Sequence, residues 1–147
     1  MKKLLTIICL LFVLNGYSQT VKKDTDNSLF GFINEWIGRP YKFGGNSEFG
    51  IDCSNFVVRL YNKVFNSTIS GTCYYLWEQT KRVSFDSLQI GDMIFFNSPL
   101  SPSGWHVGVY IGDNQFVHAA NRKEGVKISC LSEAYYKKHY KGAGRPF

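Results

Sequence analysis

The chain of 147 residues has the length of one domain, with no repeat, low-complexity tract or inter-domain linker. Its formal net charge of +6 suits an anionic polymer such as a cell envelope as partner, and ordinary solubility charge explains it equally well. After the N-terminal apolar stretch, no apolar run is long enough for a membrane-spanning helix, so we expect no stable membrane anchor.

The first residues have the pattern of a secretory signal peptide. Lys2 and Lys3 precede an apolar stretch over 4–14, which is too short to cross a bilayer. The small residues Gly16 and Ser18 fit the two recognition positions of a cleavage site after Ser18. An uncleaved anchor is the alternative.

These features predict three segments: a signal peptide over 1–18, a flexible polar leader over 19–27 and one domain over 28–147. Export predicts a secreted, periplasmic or cell-envelope location. It also argues against nucleic acid as a partner.

Hydrophobic periodicity predicts helices in the first half of the chain, over 29–37, 53–65 and 74–79. Short β-rich runs separated by turn-forming residues follow over 93–96, 106–111, 115–119 and 126–130. Helices followed by a meander of strands predict an α+β fold, with N-terminal helices packed on an antiparallel β-sheet.

Cys53 is the residue that most directly indicates chemistry. It follows Asp52, a good helix N-cap, and lies one turn before the apolar pair Phe56 and Val57. The first turn of a helix stabilises a thiolate through its unpaired N–H groups and its dipole. A buried, inert cysteine is the alternative.

Two histidines lie on neighbouring β runs that we predict to form a hairpin. A three-residue loop over 112–114 places His118 opposite Gly108, with His106 on the same face of the sheet. Since Gly108 has no side chain, space remains beside the two rings. We expect the helix that carries Cys53 to pack on this face.

Together Cys53, His106 and His118 provide a nucleophile, a base and a group that orients the base. A Cys-His-His metal site is the alternative, but the short ligand pairs typical of zinc sites are missing, so we predict neither metal nor cofactor. Cys73 and Cys130 are either paired with each other or buried as thiols.

Six motif blocks follow one another along the chain. They are Gly38-Arg-Pro-Tyr41-Lys-Phe-Gly-Gly45, Gly50-Ile-Asp-Cys-Ser54, Leu88-Gln-Ile-Gly-Asp-Met-Ile-Phe-Phe96, His106-Val-Gly-Val-Tyr-Ile-Gly112, Phe116-Val-His-Ala119 and Tyr140-Lys-Gly-Ala-Gly-Arg145. In these blocks the chain resembles the NlpC-type family of bacterial cell-wall cysteine peptidases, which has a papain-like fold. Several blocks in the right order form a more specific signal than one short motif.

The resemblance implies catalytic roles for four residues. Cys53 matches the nucleophile, His106 the base and His118 the third, orienting residue. Tyr41 matches the tyrosine whose hydroxyl faces the oxyanion together with backbone N–H groups.

For substrate binding, the resemblance implies Asp52 and Ser54, and Trp105 offers aromatic surface to a sugar or peptide. We expect the loop over 97–105 to shape one wall of the cleft. The chain departs from the family pattern at Asn55, where glycine is usual, and over 70–77, which puts substrate preference in doubt more than the chemistry.

The implied activity is that of an exported, monomeric cysteine peptidase acting on peptidoglycan stem peptides or muropeptides. The implied bond joins the γ-carboxyl of D-glutamate to the diamino acid. The same triad would serve an N-acetylmuramoyl-L-alanine amidase or an acyltransferase. A non-catalytic cell-wall-binding module and a toxin directed at rival bacteria are further alternatives.

Overall fold

Helices pack on both faces of a six-stranded antiparallel sheet in this protein. The structure is a computed structural model that describes residues 24 and 27–147. The predicted signal peptide over 1–18 lies outside the described residues. Of the predicted leader over 19–27, Asp24 and Asn27 are described and both are helical. No helix in the described part of the chain is long and apolar enough to cross a membrane.

The helices and strands follow the predicted order, with additional strands. The helices are α1 (27–36), α2 (Cys53–Val64), α3 (Cys73–Glu78) and α4 (Ala134–His139), with a 3₁₀ turn at Phe85–Ser87. The strands are β1 (Asn46–Ser47), β2 (Gly50–Ile51), β3 (Thr80–Val83), β4 (Met93–Asn97), β5 (Trp105–Gly112), β6 (Gln115–Asn121), β7 (Gly125–Cys130) and β8 (Tyr140–Pro146).

The large sheet has the order β3-β8-β4-β5-β6-β7, and its neighbouring strands pair antiparallel. The predicted α+β class and the β4–β7 meander are therefore confirmed. The strands β1, β2, β3 and β8 and the helix α4 were not predicted. In β8 the glycine-rich sequence lacks the usual pattern of a strand. A Cβ atom at Gly144 would lie 2.1 Å from Thr80 Oγ1, so glycine is what lets β3 approach β8.

Alternate residues of the strands face two separate hydrophobic cores. Helix α2 packs with Phe56, Val57 and Leu60 against the face that carries Val107 and Val117. This face also buries residues of α1 and α3. It is the main core of the domain.

The opposite face carries the second core, which contains Phe96, Phe116 and Tyr136. His106 pairs with Phe96 across β4 and β5, and the rings of His118 and Phe116 are 4.6 Å apart between centroids. The histidines therefore lie on the face that α2 does not cover. The prediction that α2 packs on the histidine face is wrong. The apolar face of α2 is buried against the valine face of the sheet, which is the more apolar of the two at β5 and β6.

The hairpin register agrees with the prediction and the loop length does not. Val109 pairs with Val117, which puts His118 opposite Gly108, as predicted. Gly112 pairs with Gln115, so the loop has only the two residues Asp113 and Asn114. Both have positive φ, at 48° and 60°, as a tight two-residue hairpin turn requires.

Gly108→Ala should destabilise the domain by about 1–3 kcal/mol, the usual cost of overpacking. A Cβ atom there would lie 2.7 Å from the Phe116 ring and 2.8 Å from the backbone oxygen of Val117. Urea denaturation measures the change. The control is Gly31→Ala in α1, where the Cβ meets nothing within 4 Å; it should stabilise by about 0.5–1 kcal/mol. Equal effects of the two substitutions would contradict the packing described here.

Candidate active site

The N-terminus of α2 positions the predicted nucleophile. Asp52 is the N-cap: one carboxylate oxygen accepts hydrogen bonds from Asn55 N at 2.8 Å and Ser54 Oγ at 3.0 Å. The other oxygen accepts from Gly44 N at 3.0 Å, which ties the glycine-rich loop to the helix. Cys53 is thereby held as the first helical residue, with 6% of its surface exposed.

A chain of hydrogen bonds fixes the two histidines. His106 Nε2 lies 2.7 Å from His118 Nδ1, and His118 Nε2 lies 3.0 Å from Ser129 Oγ. The Ser129 hydroxyl in turn donates to Tyr136 Oη at 3.4 Å. Because Nε2 of His106 is hydrogen bonded to His118, Nδ1 is the nitrogen that remains to face the thiol.

The protonation state of His118 follows from its burial. Desolvation lowers its pKa well below 6.5, and the neighbouring His106 and Lys127 lower it further. A neutral His118 accepts a hydrogen bond from His106 at Nδ1 and carries its own proton on Nε2, where it donates a hydrogen bond to Ser129. This hydrogen bond orients the His106 ring, and the catalytic role of His118 stays a prediction.

The thiol of Cys53 is acidic for a cysteine. Its pKa lies well below 9.0, first because of a hydrogen bond with Cys73 and then because of the charge and hydrogen bonding of His106. Burial and the negative charge of Asp52 oppose this shift. Cys53 and His106 meet at the ends of their elements, since one is the first residue of α2 and the other the second residue of β5.

Tyr41 lies beside the thiol. It forms a bridge with Ile51, and Ile51 N donates to Pro40 O at 3.0 Å, so the segment before the glycine-rich loop runs alongside the start of α2. Burial raises the pKa of Tyr41 to about 12, with the charges of Cys53 and Asp52 adding to the effect. The hydroxyl therefore keeps its proton and is able to donate a hydrogen bond.

A cleft of about 710 Å³ opens over the histidines. The site residues Tyr41, His106 and His118 line it. Residues of the loop after β4 form one wall: Ser98, Leu100, Ser101 and Pro102. The remaining lining residues are mostly polar or aromatic: Phe43, Ala120, Asn121, Arg122, Lys123, Glu124, Lys127, Glu133, Tyr135 and Tyr136. The predicted wall formed by the loop over 97–105 is thus confirmed. Both signs of charge are present, with Lys127 paired to Glu124 at 2.8 Å.

The predicted site residues do not all reach this cleft. Cys53, Asp52 and Ser54 are buried at the start of α2 and are not among the residues that line it. Trp105 lies elsewhere: its ring packs against Tyr74 and Trp77, and the Lys141 ammonium group is 4.5 Å from its centroid. Trp105 therefore belongs to an aromatic cluster and is not among the residues that line the cleft.

Three residues at the site were not predicted from the sequence. Ser129 and Tyr136 complete the hydrogen-bond chain behind His118. Cys73 Sγ is 3.6 Å from Cys53 Sγ, and Cys73 and Cys130 are both free, so they form no disulfide with each other. Among the described residues, no group of three or more His, Cys, Asp or Glu side chains is arranged to hold a metal ion.

The comparison with protein families agrees with this geometry. Residues 38–145 match the model of the NlpC/P60 family, and the chain belongs to this family. The matched range covers all six motif blocks and every residue of the site.

Similar proteins have names that describe cell-wall hydrolysis. The chain is 42% identical over 122 residues to the "Murein DD-endopeptidase MepS/Murein LD-carboxypeptidase" of Escherichia coli (strain K12), covering 83% of this chain and 63% of that protein. It is 41% identical over 110 residues to the "Probable peptidoglycan endopeptidase LytE" of Bacillus subtilis (strain 168), covering 74% of this chain and 31% of that protein. The chain thus spans less than two thirds of either relative.

Solved structures support the fold. An NlpC/P60 family protein from Bacillus cereus ATCC 10987 superposes with a TM-score of 0.73 at 31% identity, over 82% of this chain and 40% of that chain. A similar NLP/P60 protein from Staphylococcus aureus subsp. aureus Mu50 has a TM-score of 0.75 at 28% identity, over 84% of this chain and 41% of that chain. The papain-like α+β fold of the family is therefore confirmed.

The buried His118 should make the fold sensitive to acid. Its pKa is lowered in the folded state and ordinary in the unfolded state, so below about pH 6.5 only the unfolded chain gains this proton. Unfolding free energy should fall by up to about 1.4 kcal/mol per pH unit in this window. In His118→Gln this contribution should disappear, as urea denaturation at neutral and acidic pH would show. His139→Gln is the matched control; an unchanged acid dependence in His118→Gln would contradict the assignment.

Proposed function

We propose that the protein is an exported cysteine peptidase that hydrolyses peptidoglycan stem peptides. The observation that supports this most strongly is the hydrogen-bonded series His106–His118–Ser129, which leaves one imidazole nitrogen facing an acidic, buried thiol. The names of the similar proteins from E. coli and B. subtilis supply the substrate class. The cleft over the histidines is the proposed binding site for the peptide.

In the proposed reaction, the Cys53 thiolate attacks the carbonyl carbon of the scissile amide and forms a tetrahedral oxyanion. The protonated His106 then donates its proton to the amide nitrogen, the C–N bond breaks, and the amine leaves. The acyl group remains on Cys53 as a thioester. Water attacks the thioester with His106 as base, which releases the carboxylic acid and restores the thiolate and the imidazolium.

His118 supports both proton transfers without exchanging protons with the substrate. Its lowered pKa keeps it neutral, so it accepts the hydrogen bond from His106 and stabilises the charged ring. Tyr41 is the proposed donor to the oxyanion, because it lines the cleft, neighbours Cys53 and retains its hydroxyl proton. Such a donor typically contributes about 3 kcal/mol to the transition state.

Two bonds are candidates for the cleavage. The resemblance to the NlpC-type family favours the bond between the γ-carboxyl of D-glutamate and the diamino acid. The words "DD-endopeptidase" in the name of the E. coli relative favour a bond between two D-amino acids. We keep the γ-D-glutamyl bond as the first candidate, with Asp52 and Ser54 as proposed binding residues beside the nucleophile and Trp105 as a more distant aromatic contact. The proposed location is the cell envelope.

Cys53→Ala should abolish hydrolysis of defined muropeptides, because it removes the thiolate that attacks the scissile amide in the proposed reaction. Mass spectrometry of the products measures the loss, and the fragment masses name the bond. The matched control is Cys130→Ala, which removes a free thiol that contacts Ser132 and Asn114 outside the site. This control should keep the wild-type rate; hydrolysis by Cys53→Ala would refute the nucleophile.

The rate should be constant around neutral pH and fall in acid. The lowered pKa of Cys53 keeps the thiolate present at neutral pH, and acid removes it by protonation. Protonation of His118 would also place a second positive charge against His106. The pH dependence of kcat/KM tests this prediction. A profile that stays flat from about pH 4 to about pH 9 would count against the ion pair.

A further inference from the structure

A second thiol faces the nucleophile from the start of α3. Cys73 Sγ lies 3.6 Å from Cys53 Sγ, within the range of a sulfur hydrogen bond, and only 4% of Cys73 is exposed. Among the described residues, Cys53 is the one other residue whose side chain hydrogen bonds to this sulfur. The catalytic steps proposed above do not use Cys73, so its orientation requires its own explanation.

The direction of this hydrogen bond follows from the charges around the two sulfurs. The distance alone allows either sulfur to donate. Cys53 neighbours His106, which favours the Cys53 thiolate. The hydrogen bond to Cys53, then burial and the negative charge of Cys53, raise the pKa of the Cys73 thiol. Cys73 therefore keeps its proton, and Cys53 is the acceptor.

We propose that Cys73 is a positioning residue, which donates its S–H to the Cys53 thiolate and holds that sulfur against His106. The proposal rests on the thiolate mechanism given above. A thiol is a weak donor in water, but in a buried site the electrostatic part of a hydrogen bond is stronger. Two elements thus hold the sulfur from different sides: β5 through His106, and α3 through Cys73.

The test measures the reactivity of Cys53 without any substrate. Wild type, Cys73→Ala and Cys73→Ser are alkylated with iodoacetamide across a pH series under reducing conditions, and peptide mapping follows Cys53 separately from the other cysteines. In Cys73→Ala the midpoint of Cys53 alkylation should rise by about one pH unit, the order of shift expected for a lost charge-assisted hydrogen bond. Cys73→Ser retains a donor and should restore the wild-type midpoint.

The hydrolysis kinetics provide a second measurement. On the acid side, kcat/KM of Cys73→Ala should fall about tenfold relative to wild type, because one pH unit changes the thiolate fraction tenfold there. At alkaline pH the difference should disappear. Cys73→Val fills the space without supplying a donor and should behave like Cys73→Ala, and Cys130→Ala is the control for loss of a thiol elsewhere.

Thermal unfolding of each variant separates positioning from folding. If Cys73→Ala and Cys73→Val lose activity only in proportion to their folded fraction, with an unchanged alkylation midpoint, the proposal is overturned. It is also overturned if Cys73→Ser behaves like Cys73→Ala. If the midpoint shifts as expected but wild type cleaves no muropeptide, the positioning role stands and the proposed hydrolysis fails.

Discussion

The hydrogen bond between His106 Nε2 and His118 Nδ1 is the interaction on which the candidate site depends. At 2.7 Å it fixes which nitrogen of His106 remains for the thiol. This hydrogen bond requires a neutral His118, which accepts it at Nδ1. His118 is neutral because only 1% of its surface is exposed, and its Nε2 is hydrogen bonded to Ser129. A solvent-exposed histidine pair would have no such preference, since water would hydrate either protonation state.

The sheet provides the geometry that this pair needs. The helix with Cys53 packs on the valine face, while the histidines lie among Phe96, Phe116 and Tyr136 on the opposite face. The thiol and the imidazole therefore approach each other at the ends of α2 and β5, where Asp52 fixes the helix start. Burial on both sides excludes water from the charged groups, and it is also why each charge requires a specific hydrogen-bond partner.

Much of this arrangement could be predicted from local sequence patterns. The amphipathic period of α2, the N-cap Asp52 and the alternation in the β5–β6 hairpin are short-range signals, and each was interpreted correctly. The same signals placed His118 opposite Gly108. The loop length was wrong by one residue, because the sequence did not show that Gly112 would pair with Gln115 rather than join the turn.

Long-range contacts could not be predicted in the same way. Strand β8 has few β-forming residues, and it is a strand because it pairs with β4 on one side and with β3 on the other, where Gly144 fits against Thr80. The choice of sheet face by α2 depends on competition between two apolar surfaces, which no single segment encodes. Likewise, the sequence left Cys73 either paired with Cys130 or buried as a thiol, since nothing in the spacing of the cysteines indicates that α3 faces the start of α2.

The central claim is that the histidine pair maintains Cys53 as a thiolate at neutral pH. The most direct measurement is an ultraviolet titration of thiolate absorbance, taken as the difference between wild type and Cys53→Ala, and repeated with His106→Asn. The account predicts that wild-type Cys53 is a thiolate at neutral pH and becomes protonated only in acid. In His106→Asn, most of this thiolate absorbance at neutral pH should be lost. A wild-type thiol that titrates near the ordinary cysteine value of 9.0, or a thiolate unaffected by His106→Asn, would contradict it.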